Sequence, residues 1–419
     1  MSESYDVIVN GASIAGCTAA VLYARQGARV ALLERRSDMS AYKVLCTHYI
    51  QACGHATLAE LGVTRELEDA GAVPNSARYW TRWGWIRPED DPHERSLPFG
   101  YNVRRQTLDP ILRRLALDTD GVDLLLGHTL DRVLAEGGRV VGVSTTSGGA
   151  RRDLRGRLVV GADGKDSTVG RLVGATAKRV DNQRFSYFAH FKGLPRPKGD
   201  VTLSWFREPD VGYAMPNDGD ITLVACIPSK SSLPRFREDL EGSFRAFVKS
   251  LPGAPDLDRG ELVGKIVGTV NYPLISRRPT GPGWALIGDA ALTSDPLWGV
   301  GCGWALQSAQ WLVDETSAAV RAAGDLDRSL AAYRGRRSKL KGYQFLISDF
   351  ASGRPFNPVE KLMFSAAARD PGMARHFHTF GSRLIGTGSF LSPSSLTKAT
   401  LVNLRHRLRP ATAVPAGGV

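Results

Sequence analysis

The spacing of apolar residues changes along the chain, and each spacing predicts a different kind of element. Near the N-terminus a short apolar run, Val7–Val9, leads into a turn that carries Gly11 and Gly16. A stretch of small residues and helix formers follows, and a second apolar run, Val30–Leu33, ends at Glu34. This order of strand, tight turn, helix and strand over about 30 residues is typical of a βαβ unit.

The turn of this unit follows the pattern Gly-x-Gly-x-x-Gly, except that Ser13 replaces the middle glycine. Gly11 lets the backbone turn sharply as it leaves the strand, and Gly16 lets the helix approach the sheet closely. The free N–H groups and the positive dipole end of the helix then face a pyrophosphate. Glu34 lies 23 positions after Gly11 (34 − 11), where an acidic side chain accepts hydrogen bonds from an adenosine ribose. The pattern favours dinucleotide binding over a purely structural turn, and it leaves FAD and NAD open.

Two later segments repeat the arrangement of a buried strand followed by a glycine turn. The run Leu158–Val160 leads into Gly161-Ala162-Asp163-Gly164, and Trp284–Ile287 leads into Gly288-Asp289. A loop from Pro296 to Gly303 then precedes a helix of small and apolar residues. In an α/β sheet such strand ends converge at one edge, where ligands bind. We therefore expect three distant turns to surround one ligand.

The middle and the end of the chain have other patterns. Residues 180–275 alternate between apolar and polar positions, which predicts a mostly antiparallel sheet, and a helix at 241–251 interrupts it. From residue 328 the pattern is mostly helical. Residues 73–100 are rich in Trp, Arg and Pro, which fits either a loop-rich lid or a β insertion.

Two shorter patterns lie between the first turn and the second. Residues 101–117 predict an extended start and an amphipathic helix, with Pro110 in the first turn of the helix and Asp109 near its cap. Residues 122–143 predict two strands of a hairpin whose turn is Gly137-Gly138.

Composition narrows the class of protein. The chain has 419 residues, 42% hydrophobic and 23% charged, which is typical of a globular protein with two or three domains. We expect a cytoplasmic protein with reduced thiols, because its five cysteines are odd in number and scattered, and because no signal sequence and no transmembrane run is present. The net charge of +12 is spread along the chain, so it favours attraction of phosphorylated cofactors over nucleic-acid binding.

One polar cluster, KVLCTHYIQ, contains Lys43, Cys46, His48 and Gln51. These residue types are compatible with catalysis. However, no metal-ligand spacing and no Ser/His/Asp order accompanies them. The interpretation that we favour is a segment flanking the cofactor, with partly buried thiols, and we expect no metal site.

Taken together, these motifs resemble the flavoprotein monooxygenases of the aromatic-hydroxylase (group A) type, in a superfamily with flavin halogenases and geranylgeranyl reductases. The resemblance covers roughly residues 5–315 and rests on GASIAG, Arg105 with Leu108, GADGKDSTVGR and GDAALTSDPLWGVGCG. The departures are Ser13, Gly170 at the family's arginine position, Leu292 at its histidine and Gly303 at its frequent asparagine.

The resemblance implies an α/β fold in which a Rossmann-like FAD-binding domain is joined to a mostly antiparallel β-sheet substrate domain and a C-terminal helical segment. The expected division is 1–178 and 277–327 for the FAD-binding domain, 179–276 for the substrate domain, and 328–419 for the helical region with a flexible tail.

The resemblance also implies the roles of individual residues. Glu34, with Arg35 beside it, binds the adenosine ribose of FAD, and Arg105 reaches the ribityl–pyrophosphate region. Asp163 lies near the pyrophosphate and helps to dock the nicotinamide cofactor, while Asp289 binds the ribityl chain. The loop Pro296–Gly303 places its N–H groups against the pyrimidine edge of the flavin, where a helix N-terminus stabilises negative charge. The full set of expected FAD-binding residues is Gly11, Ser13, Ala15, Gly16, Glu34, Arg35, Arg105, Asp163, Gly288, Asp289, Pro296, Gly299, Val300 and Gly301.

In the reaction implied by this resemblance, NAD(P)H reduces FAD, O2 adds at flavin C4a, and the resulting hydroperoxide hydroxylates or epoxidises an apolar, aromatic or olefinic small molecule of secondary metabolism. Candidate pocket residues are Trp298, Pro296, Tyr213 and His48, and no residue is identified as a general base. Reduction of carbon–carbon double bonds is the main alternative. A halogenase is disfavoured, because Val211–Pro216 keeps only the proline of the Trp-x-Trp-x-Ile-Pro motif. A flavin-binding protein without turnover, a partner flavin reductase and the oligomeric state are left open.

Overall fold

The computed structural model describes residues 3–88, 98–196, 199–322 and 324–408. Its strands, in chain order, are β1 (Glu3–Asn10), β2 (Val30–Glu34), β3 (Tyr49–Ile50), β4 (Val73–Asn75), β5 (Ala77–Thr81), β6 (Gly84–Ile86), β7 (Gly100–Asn102), β8 (Val122–Leu126), β9 (Thr129–Glu136), β10 (Arg139–Ser147), β11 (Ala150–Gly161), β12 (Ala177–Val180), β13 (Ser186–Lys192), β14 (Thr202–Arg207), β15 (Asp210–Asn217), β16 (Ile221–Ile227), β17 (Glu261–Thr269), β18 (Leu274–Arg277), β19 (Thr280–Gly281) and β20 (Trp284–Leu286).

The helices, also in chain order, are α1 (Ile14–Arg25), α2 (His55–Leu61), α3 (Thr64–Asp69), α4 (Arg105–Leu117), α5 (Thr168–Leu172), α6 (Leu233–Glu238), α7 (Leu240–Lys249), α8 (Val300–Arg321), α9 (Leu326–Arg337), α10 (Lys341–Phe350), α11 (Pro358–Ala367), α12 (Pro371–Gly381), α13 (Thr387–Phe390) and α14 (Pro393–Leu408). Within the described ranges, no helix has both the length and the apolar character needed to cross a bilayer.

The first sheet has the order β19-β20-β11-β1-β2-β8, and its strands from β20 to β8 run parallel. Strand β1 lies at the centre because Val7, Ile8 and Val9 are apolar on both faces, and all three are fully buried. Its last residue, Asn10, pairs with Gly161 of β11 and with Leu33 of β2, so the carboxyl ends of neighbouring strands lie side by side. The α/β class and the Rossmann-like arrangement are confirmed.

Small residues allow α1 to lie close to this sheet and to α8. Every residue of α1 except Arg25 is buried, and most of its buried side chains are Ala, Gly, Cys or Thr. A Cβ atom added to Gly16 would lie 1.7 Å from the carbonyl oxygen of Gly11. The predicted reason for this glycine, close approach of helix and strand, is therefore correct.

The second sheet has the order β17-β13-β16-β15-β14-β5-β6 and is antiparallel except between β14 and β5. Five of its strands come from the predicted β region, while β5 and β6 come from within residues 73–100. For the described part of that segment, the β insertion is the correct alternative; residues 89–97 lie outside the described ranges. The C-terminal helices α10 to α14 pack against one face of this sheet, and α6 and α7 pack against the other.

The hairpin at Gly137-Gly138 forms between β9 and β10 as predicted. The predicted start of the helix within 101–117 is wrong, because α4 begins at Arg105 and Pro110 lies in its interior. An interior proline typically costs about 3 kcal/mol. Here the Arg105 guanidinium donates to Asp109 Oδ1 (2.7 Å), and both side chains are buried, so an ion pair holds the turn that the proline weakens. The predicted flexible tail lies outside the described ranges from residue 409 onward.

Candidate functional site

Three turns meet at the carboxyl edge of the first sheet. A Cβ atom on Gly11 would lie 2.7 Å from the carbonyl oxygen of Ala162, and one on Gly288 would lie 3.1 Å from Cβ of Ala15. Asn10 Nδ2 also donates to Asp163 Oδ2 (3.0 Å), which ties the first turn to the second. The expected convergence of the three distant turns is therefore present.

The first turn has the donor and acceptor groups that an adenosine diphosphate requires. Helix α1 begins after Ser13, whose side chain makes no capping hydrogen bond, so side chains leave the N–H groups of the first turn free for an anion. Glu34 lies at the end of β2, where Oε2 accepts from the N–H of Ala12 (3.1 Å) and Oε1 accepts from the N–H of Arg36 (3.1 Å). This fixes the carboxylate beside the turn. Arg35, the predicted neighbour of Glu34, is exposed.

Arg105 and Asp163 hold this edge together. Arg105 Nη2 donates to Ser13 Oγ (2.5 Å) while the guanidinium pairs with Asp109, so one arginine links α4 to the first turn. Asp163 accepts from Ser167 Oγ (2.5 Å) as well as from Asn10. Its Oδ2 also accepts from the N–H of Val169 (3.0 Å), so the carboxylate stabilises the start of α5, whose N-cap is Ser167, and joins two turns.

The third turn leads into α8, and its backbone has unusual torsion angles. Trp298 has φ +69° and Gly299 has φ +60°. A Cβ atom on Gly299 would lie 2.8 Å from Tyr49 Cδ1, whereas one on exposed Gly301 would meet no atom within 4 Å. The start of α8 also has no side-chain cap. Val300 and Gly301 thus present backbone N–H groups at an open helix N-terminus, which suits the electron-rich edge of a flavin.

The segment 43–51 runs along this edge. Lys43 Nζ pairs with Asp289 Oδ2 at 2.8 Å, and this carboxylate raises the pKa of the lysine. Cys46 Sγ lies 3.8 Å from Cys302 Sγ in the first turn of α8. The hydrogen bond with Cys302, together with Arg105 and the His48 N–H, lowers the pKa of Cys46 well below its usual value. The cluster that we interpreted as flanking the cofactor thus touches Asp289, Arg105 and the start of α8.

His48 connects this edge to the second sheet. Its Nδ1 accepts from the N–H of Arg105 (3.2 Å), so in the neutral ring the proton lies on Nε2, which donates to Nε2 of His190 (3.1 Å). His190 is therefore unprotonated at that nitrogen. Burial lowers the pKa of His190 to about 4, and repulsion from Arg104, and from His48 when that ring is protonated, acts in the same direction.

Aromatic rings surround Trp298 on the side of the second sheet. We call this group the aromatic cluster: five rings have centroids 5.0–6.5 Å from that of Trp298, and they belong to Tyr79, Phe206, Phe364, Phe377 and Phe380. The backbone N–H of Trp298 donates to the hydroxyl oxygen of buried Tyr213 (3.2 Å). The structure thus brings together Trp298 and Tyr213, two of the predicted pocket residues.

Pro296 precedes Trp298 in the same turn, which buried Asp295 anchors. Asp295 pairs with Arg184 (2.6 Å) and accepts from the N–H of Leu297 (2.8 Å). Both members of this ion pair are 0% exposed. Neither residue was a candidate from the sequence, because a lone Asp and a distant Arg carry no local pattern. In the described ranges, no group of three or more His, Cys, Asp and Glu residues could hold a metal ion.

The comparisons with known proteins agree with this geometry. The family described as FAD binding domain matches residues 4–341. The chain is 26% identical to a digeranylgeranylglycerophospholipid reductase of Picrophilus torridus, over 76% of this chain and 79% of that protein. It is 28% identical to a 6-methylpretetramide 4-monooxygenase of Streptomyces rimosus, over 73% of each chain.

Among solved structures, the flavin-dependent brominase Bmp2 has the same fold. The TM-score is 0.77 at 19% identity, with 96% of this chain and 100% of that chain covered. Structural similarity at 19% sequence identity establishes the fold but does not define the reaction.

Proposed function

Because this chain belongs to the FAD binding domain family, we propose that it is an FAD-dependent monooxygenase that uses NAD(P)H and O2 to hydroxylate or epoxidise an apolar, aromatic or olefinic small molecule, in secondary metabolism. The observation that carries the proposal is the position of the aromatic cluster, which lies directly beside the turn that leads into α8. A dry wall of aromatic rings next to a flavin-binding edge suits oxygen transfer to an apolar substrate.

The residues at the converged turns fit FAD. In the proposed complex, the N–H groups at the start of α1 bind the pyrophosphate, and Glu34 binds the ribose. Asp289 binds the ribityl hydroxyls, either with its ion pair to Lys43 intact or after that ion pair breaks. The N–H groups of Val300 and Gly301 face the pyrimidine edge. When bound, FAD supplies hydride acceptance from NAD(P)H and the activation of O2.

The protein's own part in this chemistry is to exclude water and to position the substrate. The aromatic cluster covers the side of the α8 turn that faces the second sheet, and Tyr213 holds the Trp298 backbone in place. His48 is too constrained for a general base in this geometry, because its Nδ1 accepts from Arg105 and its Nε2 contacts His190. We therefore assign it a positioning role.

A basic groove supports the use of a phosphorylated reductant. This groove, of about 530 Å³, adjoins the second and third turns, because Arg277 donates to the carbonyls of Lys165 (2.6 Å) and Ala290 (3.0 Å). A Cβ atom on Gly170 would lie 3.2 Å from Arg277 Cδ, so Arg277 fills the space beside the glycine that replaces the family's arginine. The groove is lined by six cationic residues, which are Lys178, Arg277, Arg278, Arg334, Arg337 and Lys341.

In the described ranges, none of these six cations forms an ion pair with a carboxylate. Burial also lowers the pKa of Arg277 and of Arg337, because it removes water from their charged groups. We assign this groove to the phosphates of NAD(P)H, since cations that have no carboxylate partner keep a positive charge that attracts anions.

A specific observation also favours a second candidate, the reduction of a carbon–carbon double bond. The Cys46 thiol lies at the cofactor edge, between Cys302 and the Arg105 guanidinium (3.9 Å), and its pKa is lowered. In the reduction of a double bond a hydride adds to one carbon and a proton adds to its neighbour, and the Cys46 thiol at this edge would supply that proton and be left as a thiolate that Arg105 stabilises.

Two measurements test the proposal. Aromatic and olefinic compounds are screened for acceleration of NADPH oxidation by the FAD-loaded protein, and each product is analysed by mass spectrometry after reaction under ¹⁸O2. A monooxygenase transfers one labelled oxygen atom to its product. A product that gains two hydrogens and no label identifies the reductase, and oxidation of NADPH that no compound accelerates contradicts both.

A further inference from the structure

Helix α12 ends at Gly381, and the chain leaves it through a Schellman motif. The N–H of Leu384 donates to the carbonyl of Thr379 (3.1 Å), and the N–H of Arg383 donates to the carbonyl of Phe380 (2.9 Å). The position that Arg383 occupies in this motif requires a left-handed backbone and is usually glycine. Arg383 has φ +63°. A large charged residue in a strained position points to a role of its side chain.

The side chain of Arg383 lies inside the protein without a counter-charge. The residue is 8% exposed, and its guanidinium carbon lies 4.4 Å from the ring centroid of Tyr343, 5.4 Å from that of Phe380 and 5.5 Å from that of Trp298. Over the described residues, no carboxylate forms an ion pair with it. Nη1 makes one long contact with the carbonyl of Phe380 (3.4 Å), and the Tyr343 side chain also stabilises the charge through a side-chain hydrogen bond. Nε and Nη2 have no partner within hydrogen-bond distance.

Aromatic rings compensate such a charge only in part. Cation–π contacts attract the guanidinium, but they leave its N–H donors without acceptors. Burial lowers the pKa of Arg383 to about 10, so the group stays protonated at neutral pH. The two free donors, Nε and Nη2, lie on one side of the planar guanidinium. A carboxylate can accept a hydrogen bond from each of them and also neutralise the buried charge.

Arg383 is coupled to the proposed flavin edge through one glutamine. Gln51 Nε2 donates to the carbonyl of Trp298 (2.5 Å) and to the carbonyl of Gly381 (2.7 Å). A Cβ atom on Gly381 would lie 3.6 Å from the ring of Trp298. The end of α12 is therefore fixed against the turn that starts α8, and Arg383 follows it by two residues.

We propose that Arg383 binds a carboxylate of the substrate, so that the substrate is an aromatic acid whose ring packs against the aromatic cluster. This inference rests on the proposed function, because it assigns the aromatic cluster to the substrate. The guanidinium fork fixes the anionic end, and the rings of Trp298 and its neighbours pack on the apolar part.

The first test needs no ligand. Arg383→Met keeps the length and the strained backbone of the position and removes the charge. A buried charge whose counter-ion is a ligand destabilises the ligand-free protein. The melting temperature of Arg383→Met is therefore expected to equal or exceed that of the wild type. The control is Arg405→Met on the exposed face of α14. A melting temperature several degrees below that of the control would mean that the cation–π contacts hold the fold, and it would overturn the proposal.

The second test uses benzoate and its neutral analogue benzamide as probes. Calorimetry on the FAD-loaded wild type is expected to give benzoate an affinity at least tenfold higher than that of benzamide. Arg383→Gln, and Arg383→Met where it folds, should bind the two equally, and Arg405→Met should keep the preference. Equal affinities in the wild type, absence of benzoate binding, or a preference that survives in Arg383→Gln each refutes the assignment.

FAD binding and the carboxylate site are measured separately, so that each can fail without the other. The FAD content is read from the absorbance of the same samples, and the benzoate preference is also measured on FAD-free protein. Protein that binds no FAD yet prefers benzoate through Arg383 refutes the monooxygenase and leaves the anion site. Protein that binds FAD and shows no preference for benzoate refutes the anion site and leaves the monooxygenase proposal standing.

Discussion

The buried ion pair of Arg184 and Asp295 allows a quantitative test of how the α8 turn is held. The two side chains are 0% exposed and 2.6 Å apart. Asp295 also accepts from Asn182 Nδ2 (2.5 Å) and from the N–H of Leu297, and Arg184 stacks over the ring of Phe350 at 4.7 Å. Asp295→Asn keeps the size and an acceptor, but it leaves the guanidinium buried without a counter-charge.

Breaking a buried pair by changing one partner costs about 3–5 kcal/mol. For 419 residues the entropy of unfolding is about 0.9 kcal/mol per kelvin, so we expect the melting temperature to fall by about 3–6 °C in Asp295→Asn. The double variant Arg184→Met/Asp295→Asn removes both charges, and its melting temperature should return to within about 2 °C of the wild type.

Differential scanning fluorimetry of the three proteins measures these shifts, and flavin fluorescence reports FAD affinity in parallel. Because Asp295 holds Leu297 two residues before Gly299, the single variant should also bind FAD more weakly. The reasoning is refuted if the single variant melts within 1 °C of the wild type, or if the double variant is less stable than the single one.

Three further predictions follow from other parts of the site. Gly16→Ala should abolish FAD binding, because the new Cβ would lie 1.7 Å from a backbone oxygen, and Gly335→Ala, in open space on α9, should bind FAD normally in the same titration. The pKa of His190 is lower in the folded protein (about 4) than the ordinary value of 6.5, so the unfolded state gains its proton first and stability should decrease as the pH falls from 6.5 towards 4. Denaturant titrations should show that the free energy of unfolding falls by about 1–3 kcal/mol over this pH range, a value that allows for the partial exposure of His190. His190→Gln should not show this decrease. In the basic groove, Arg334→Gln/Lys341→Gln should raise the KM for NADPH about tenfold in steady-state assays, whereas Arg235→Gln/Lys249→Gln, with the same loss of charge elsewhere, should not.

The parts of the site that the sequence predicts correctly depend on short-range patterns. Gly11, Gly16 and Glu34 are recognisable because a βαβ turn requires them at fixed spacing, and the parallel order of the strands then forces the turns together. The convergence of three turns therefore follows from local signals combined with one rule of sheet topology.

The parts that the sequence does not predict depend on contacts between distant residues. Local propensity suggests that α4 begins at Pro110, and a buried pair between Arg105 and Asp109 overrides it. Strands β5 and β6 join the second sheet through parallel pairing of β5 with β14, more than 100 residues away, which no local pattern indicates.

Arg383 could not be identified from the sequence for the same reason. Its environment is formed by Trp298, Tyr343 and Phe380, and only the last is a neighbour in the chain. Its left-handed backbone is also hidden, since the usual signal for that position is glycine.

The most direct test of the whole account is the absorbance spectrum of the purified protein titrated with FAD. We predict the resolved flavin bands of a bound oxidised flavin at one equivalent per chain, with weaker binding by Glu34→Gln and no binding by Gly16→Ala. A protein that stays colourless and leaves the spectrum of added FAD unchanged would contradict the assignment of the three turns to one flavin.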